Sequence, residues 1–230
     1  MTLHHPLDAP CPCGSERGFS DCCAPYLNGE RRATTPEQLM RSRYSAFVTH
    51  HADYLIATWH PDCQMAAERD AIIASFADTQ WLGLRVIATL PGRDAHEGFV
   101  EFIARFHTPS TQQNGAIHER SRFLDLNHAW YYVDGARPTI GRNDPCPCAS
   151  GNKYKNAADA RLRPALNRRF DAPFPAGAAA TAPAKTRMQT HVTTRYSTKS
   201  TAHRLPRCQG ADRQNHQYLL QASAQHYSEQ

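Results

Sequence analysis

The chain has 230 residues, 40% of them apolar, and a formal net charge of +5, enough for one cored domain with small appendages. The basic excess sits at one end: residues 1–156 hold 15 Lys and Arg against 17 Asp and Glu, whereas residues 157–230 hold 11 against 4. A basic, apolar-poor tail reads as a solvated, disordered segment in preference to a nucleic-acid arm, and no stretch approaches the ~20 apolar residues of a membrane span.

The first residues, MTLHHPLDAP, have neither a cationic start nor an apolar run, so no secretory signal is expected in them. Eight cysteines are present, and six are bunched: Cys11, Cys13, Cys22 and Cys23 near one end, Cys146 and Cys148 further on. Disulfide scaffolds of secreted proteins spread their cysteines through the fold, whereas metal sites bunch them. These features point to a soluble protein of a reducing compartment, the cytoplasm.

The first cluster, PCPCGSERGFSDCCA at residues 10–24, has the spacing C-x-C-x8-C-C. A structural zinc ion takes four soft ligands in a tetrahedron at Zn–S ~2.3 Å. Cys11 and Cys13 flank Pro12, Gly14-Ser15 lets the chain reverse, and the return brings up Cys22 and Cys23. Four thiolates on a divalent ion leave a net charge of about −2, which backbone N–H groups and Arg17 can offset, with Phe19 covering one side. So short a segment has no core of its own to bury four cysteines. Metal binding would supply its folding energy. Zinc is the expected metal, and a thiolate site also takes iron.

Thr35-Pro36-Glu37-Gln38 opens a helix, with Thr35 as cap, Pro36 at the first position and Gln38 completing a capping box. Met40, Tyr44, Phe47, Val48, Leu55 and Trp59 recur near helical spacing. Asp53 is placed to cap a second helix that ends at Pro61. Residues 66–77 read as a third. The period then falls to two: Leu82, Leu84, Val86, Ala88 and Leu90 share one face of a strand. Val100, Phe102, Ala104 and Phe106 do so in the next, with Glu101, Arg105 and His107 opposite. Residues 116–125 and 130–133 give two more strands, joined at Asn127-His128. Helices followed by a meander predict an α+β fold, helices packed on a curved antiparallel sheet.

The residues now on the page resemble a known family. CPCGSERGFSDCC resembles the SEC-C motif, a small zinc-binding module found at the C-terminus of many SecA translocation ATPases. TPEQLMRSRYSAF, HERSRF, WYYVDG and a second SEC-C-like RNDPCPCASGNKYK, in that order, resemble the YchJ family. The resemblance implies SEC-C, a middle domain like the nuclear-transport-factor-two cone (cystatin-like), and a second SEC-C. It implies metal binding rather than a reaction. Because SEC-C modules of translocation ATPases contact a chaperone and the ribosome, it also implies partners in protein export or at the ribosome. The expected organisation is a zinc module at 1–30, the cone at 31–138, a truncated second motif at 139–156 and a low-complexity, disordered tail at 157–230.

The second motif is incomplete. The spacing of the first copy puts its closing pair at positions 157 and 158, which hold Ala157 and Ala158. Cys146 and Cys148 alone supply half a zinc shell. In the cone, the uniform faces of the first two strands carry no carboxylate or histidine. In the third, His118, Arg120 and Arg122 share one face, and Glu119 lies on the other with Ile117 and Phe123. No catalytic residue is assigned. Glu119 or His118 would be the acid–base group in the alternative reading, a small-molecule enzyme or ligand binder using the cone. Cys63 reads as a lone structural thiol. The change of character at Asn156–Ala157 is that of a shifted reading frame. If so, a neighbouring frame of the coding DNA encodes two metal ligands and an early stop, and a frame lacking them would refute the shift.

Overall fold

The computed structural model describes residues 2–143 and 152–153. Cys146, Cys148, Ala157, Ala158 and the expected disordered tail lie outside the described residues.

After a four-residue helix α1 (Ala24–Leu27), the main helix α2 runs from Pro36 to Val48. Thr35 is extended, and its Oγ1 accepts from the Gln38 N–H at 3.2 Å. The Gln38 Oε1 accepts from the Thr34 N–H at 2.9 Å. The capping box therefore closes one residue earlier than the Thr35–Gln38 pair implies. Helix α3 (Ala52–Ala57) starts behind His51. Asp53 does not cap it: the carboxylate lies in the first turn and pairs with Arg69 at 3.0 Å. The helix expected over 66–77 divides into a 3₁₀ turn, Met65–Glu68, and α4, Arg69–Ser75.

Four antiparallel strands follow in the order β1 (Gln80–Pro91), β2 (Glu97–Thr108), β3 (Gln113–Leu126), β4 (Ala129–Ala136). The β3–β4 turn uses Asn127 and His128, both left-handed at φ 53° and 65°, the backbone a tight two-residue hairpin requires. Register irregularities between Trp81 and Gly83 and between Val86 and Ala88 interrupt β1. Each shifts the alternation by one residue. Trp81, Leu84 and Val86 consequently share the inner face with Phe106, Ala104 and Phe102. Ala88 and Leu90, expected on that face, instead oppose Glu101 and Phe99 on the outer one. Leu82 falls between the two and is exposed.

Helix α2 lies across the inner face. Leu39, Met40 and Tyr44 pack with Leu84, Val100, Phe102, Ala104 and Phe123, and the four N-terminal cysteines join this core. A second cluster of Ala46, Leu55, Ile72 and Phe76 ties α3 and α4 to the back of α2. At the β4 edge, Tyr132 N–H donates to the Thr58 carbonyl (2.9 Å) and His60 N–H to the Tyr132 carbonyl (2.8 Å). This brings Trp59 and Tyr132 together around the buried Arg43, whose guanidinium carbon lies 4.9 and 4.8 Å from their ring centres. Its Nη1 donates to the Leu55 carbonyl and Thr58 Oγ1, both at 2.7 Å. Burial lowers the Arg43 pKa to about 10, so it stays charged at neutral pH. Trp59 and His60 are thus parts of the packed interior, and the partly buried Trp81 packs against it. No helix among the described residues is long and apolar enough to cross a membrane.

Candidate metal centre

The N-terminal module begins as a narrow ribbon. Pro10 and Gly18 bridge antiparallel, Cys11 N–H donates to the Arg17 carbonyl (2.8 Å), and Phe19 N–H to the Ala9 carbonyl (2.9 Å). Between them the chain reverses through Gly14, whose N–H reaches the Cys11 carbonyl at 3.2 Å with φ at +71°. That left-handed backbone favours glycine. Cys22 and Ala24 N–H groups both return to the Phe19 carbonyl, and Cys23 leads directly into α1.

This path brings Cys11, Cys13, Cys22 and Cys23 together, with all four sulfurs within 4.8 Å of one another. Cys13 and Cys22 are 3.6 Å apart, Cys22 and Cys23 3.8 Å. Four sulfurs ~2.3 Å from one tetrahedral ion are about 3.8 Å from each other, whereas a disulfide needs ~2.05 Å. All four cysteines are free, so the spacing fits an ion and not a pair of bridges. It fits zinc, and an iron of the same coordination equally. All four are at most 5% exposed.

Donors surround the sulfurs. Ser15 Oγ lies 3.0 Å from Cys22 Sγ, and Arg17 Nη2 donates to the same sulfur at 3.3 Å, which is the role charge balance suggested for Arg17. Ser45 Oγ of α2 lies 3.7 Å from the Cys11 sulfur. Arg41 Nη1 donates to the Cys13 carbonyl at 2.9 Å. Ser45 and Arg41 are remote in sequence from the cysteines, and no local pattern marks them. Ser15 stands in the Gly-Ser turn and could have been found there.

Without a cation the cluster favours a single thiolate, on Cys13, and holds the protons of Cys11 and Cys23. Hydrogen bonds from Cys11 and then Cys23 favour the Cys13 thiolate and push its pKa down. Its hydrogen bond with Cys13, together with burial, pushes the Cys11 thiol up to about 12. Contact with Cys11 and then Cys13, together with burial, pushes Cys23 up as well. A second negative charge in this volume is unfavourable unless a cation shares it.

The two acid–base candidates in the cone are not brought together. His118 lies on the outer face, its Nε2 2.9 Å from Glu101 Oε1, with Arg120 on Oε2 at 2.8 Å. Burial opposes ionisation of Glu101, but Arg120 and His118 outweigh it and hold the carboxyl below its usual range. Glu119 lies on the inner face, where its Oε1 accepts from Ser121 Oγ (2.6 Å) and Tyr132 OH (3.4 Å). Two groups on opposite faces of a sheet cannot act on one substrate. Cys63 is disulfide-bonded and not the lone thiol expected. Among the described residues the four N-terminal cysteines form the one group of three or more possible metal ligands.

Comparison with known proteins agrees with this architecture. The model of the YchJ middle NTF2-like domain matches residues 35–135, and that of the SEC-C motif matches residues 9–25 and 142–156. A UPF0225 protein of Serratia proteamaculans is 57% identical over 145 residues, covering 63% of this chain and 94% of that protein. Another, from Photorhabdus laumondii, is 56% identical over 151 residues, 63% of this chain and 95% of that one. The solution structure of a SEC-C motif containing protein from Rhodopseudomonas palustris is similar with a TM-score of 0.52 and 35% identity, covering 57% of this chain and all of that one. The crystal structure of a SEC-C motif containing protein from Psychrobacter arcticus has a TM-score of 0.50 and 34% identity, covering 66% and 97%.

The purified chain is expected to carry one equivalent of metal, lost in Cys13→Ser; two equivalents would require a second site beyond these four cysteines. Loading the metal-free protein should release at least about two protons per ion, those of Cys11 and Cys23, so affinity falls as pH falls. An affinity flat with pH would contradict the account of the thiols.

Proposed function

This chain belongs to the YchJ family, the UPF0225 proteins, and on that premise we propose that it is a zinc-binding, non-enzymatic interaction protein of the cytoplasm, its N-terminal module facing protein partners. The observation that carries the reading is the burial of all four sulfurs, at most 5% exposed. A catalytic zinc keeps a coordination position open to water or substrate, whereas a closed four-sulfur site is structural. The ion's role is then to hold a small surface in shape. The chaperone and ribosome contacts of SEC-C modules in translocation ATPases support export or ribosome-associated partners for this one.

A second reading has its own observation. Glu119 is an inward acid with the hydroxyls of Ser121 and Tyr132 beside it, and Gly135 leaves room for it: a Cβ there would overlap the carboxylate. A ligand bound in the cone would meet this carboxylate, and unchanged binding of that ligand by Glu119→Gln would dismiss the role.

The favoured reading is tested with purified ribosomes and purified export chaperone, against the metal-loaded chain and Cys22→Ser. Binding to either by the loaded chain, weakened at least about tenfold in the variant, is the expected result. Equal binding by both proteins would remove the metal module from the function.

A further inference from the structure

The module is too short to bury its own sulfurs, so their burial has to come from the cone. Its residues pack into the same core as Leu39, Met40 and Tyr44 of α2 and Leu84 of β1. The reversal at Gly14 rests on β1: a Cβ at that position would lie 3.0 Å from the Leu84 carbonyl oxygen. The module is therefore held between α2 and β1.

The polar contacts across this seam are specific. Arg41 and Ser45 lie four residues apart on α2, hence on one face. Arg41 fixes the Cys13 carbonyl at 2.9 Å and is itself fixed by Glu37 at 2.8 Å. Ser45 reaches the Cys11 sulfur at 3.7 Å. Hydroxyls of buried Ser and Thr in helices commonly turn back on their own helix carbonyls. Ser42 does so to Leu39, Thr49 to Ser45, Thr58 to Tyr54 and Ser75 to Ile72. Ser45, wholly buried, instead has its hydroxyl against a metal-ligand sulfur. Between Arg41 and Ser45, Tyr44 meets the Trp81 ring of β1 edge-on at 5.6 Å. A displacement of the first cysteine pair is thereby passed to both α2 and β1.

We infer that helix α2 of the cone completes the metal centre, with Ser45 as the positioning residue for Cys11, so that metal binding and the packing of α2 on β1 form one coupled equilibrium. The inference rests on the four cysteines being a metal site. An outer-shell hydrogen bond of this kind typically changes metal affinity 10–100-fold. By linkage, whatever alters α2 alters metal affinity, and metal loss loosens α2 in return.

The test uses the full chain in two measurements. In competition with a chromogenic chelator, Ser45→Ala should bind zinc about tenfold more weakly than wild type while retaining one site. In hydrogen exchange of the wild type, removing zinc should accelerate α2 and β1 more than the β3–β4 hairpin. Equal zinc affinity in Ser45→Ala, or exchange in α2 that is the same with and without zinc, would overturn the coupling. Should Ser45→Ala not fold, the exchange of the wild type decides alone. A wild-type chain that takes up no zinc at all would overturn the metal reading, and this inference with it.

Discussion

Four thiols share a volume in which all their sulfurs lie within 4.8 Å, and that crowding is the constraint on which the N-terminal half of the fold depends. Stripped of a cation, such a cluster tolerates one thiolate and resists the next. With a divalent ion, every sulfur ionises and the charge is shared. The surrounding donors make sense only against this charge. Arg17 and Ser15 converge on Cys22, and Ser45 on Cys11. The cysteines are also counted among the buried core of the cone, so the ion would stabilise more than a peripheral knuckle.

The cone is built on a second buried charge. Arg43 sits between Trp59 and Tyr132 and satisfies its Nη1 with the Leu55 carbonyl and Thr58 Oγ1. It thereby joins α2, the end of α3 and the edge of β4. The inner face carries Glu119 and Ser121 next to this group, while the outer face is laced by ion pairs of Glu101, Glu97 and Asp134 with His118, Arg120 and Arg122. The outer pairs neutralise one another, and all but Arg120 are largely covered from solvent.

Legibility in the sequence followed the range of each interaction. The Cys11–Cys23 spacing, the Thr35 cap with Pro36 behind it, and the Asn127-His128 turn are local devices, and each was readable from a few consecutive residues. The strands were readable as elements, but not the faces of β1. Bulges next to Trp81 and Val86 move Ala88 and Leu90 to the outer side, and no residue pattern announces them. Asp53 has the composition of a cap, yet Arg69 takes its carboxylate. The sequence separated Glu119 from His118 by alternation alone, which holds because β3 is regular up to Arg122. Ser45 and Arg41 were invisible because their role exists only once α2 lies against the module.

X-ray absorption at the zinc edge of the purified, metal-loaded chain measures the central claim directly. The account predicts a single first shell of four sulfurs at about 2.3 Å. A shell containing nitrogen or oxygen, or fewer than four sulfurs per zinc, would contradict the closed Cys11–Cys13–Cys22–Cys23 centre.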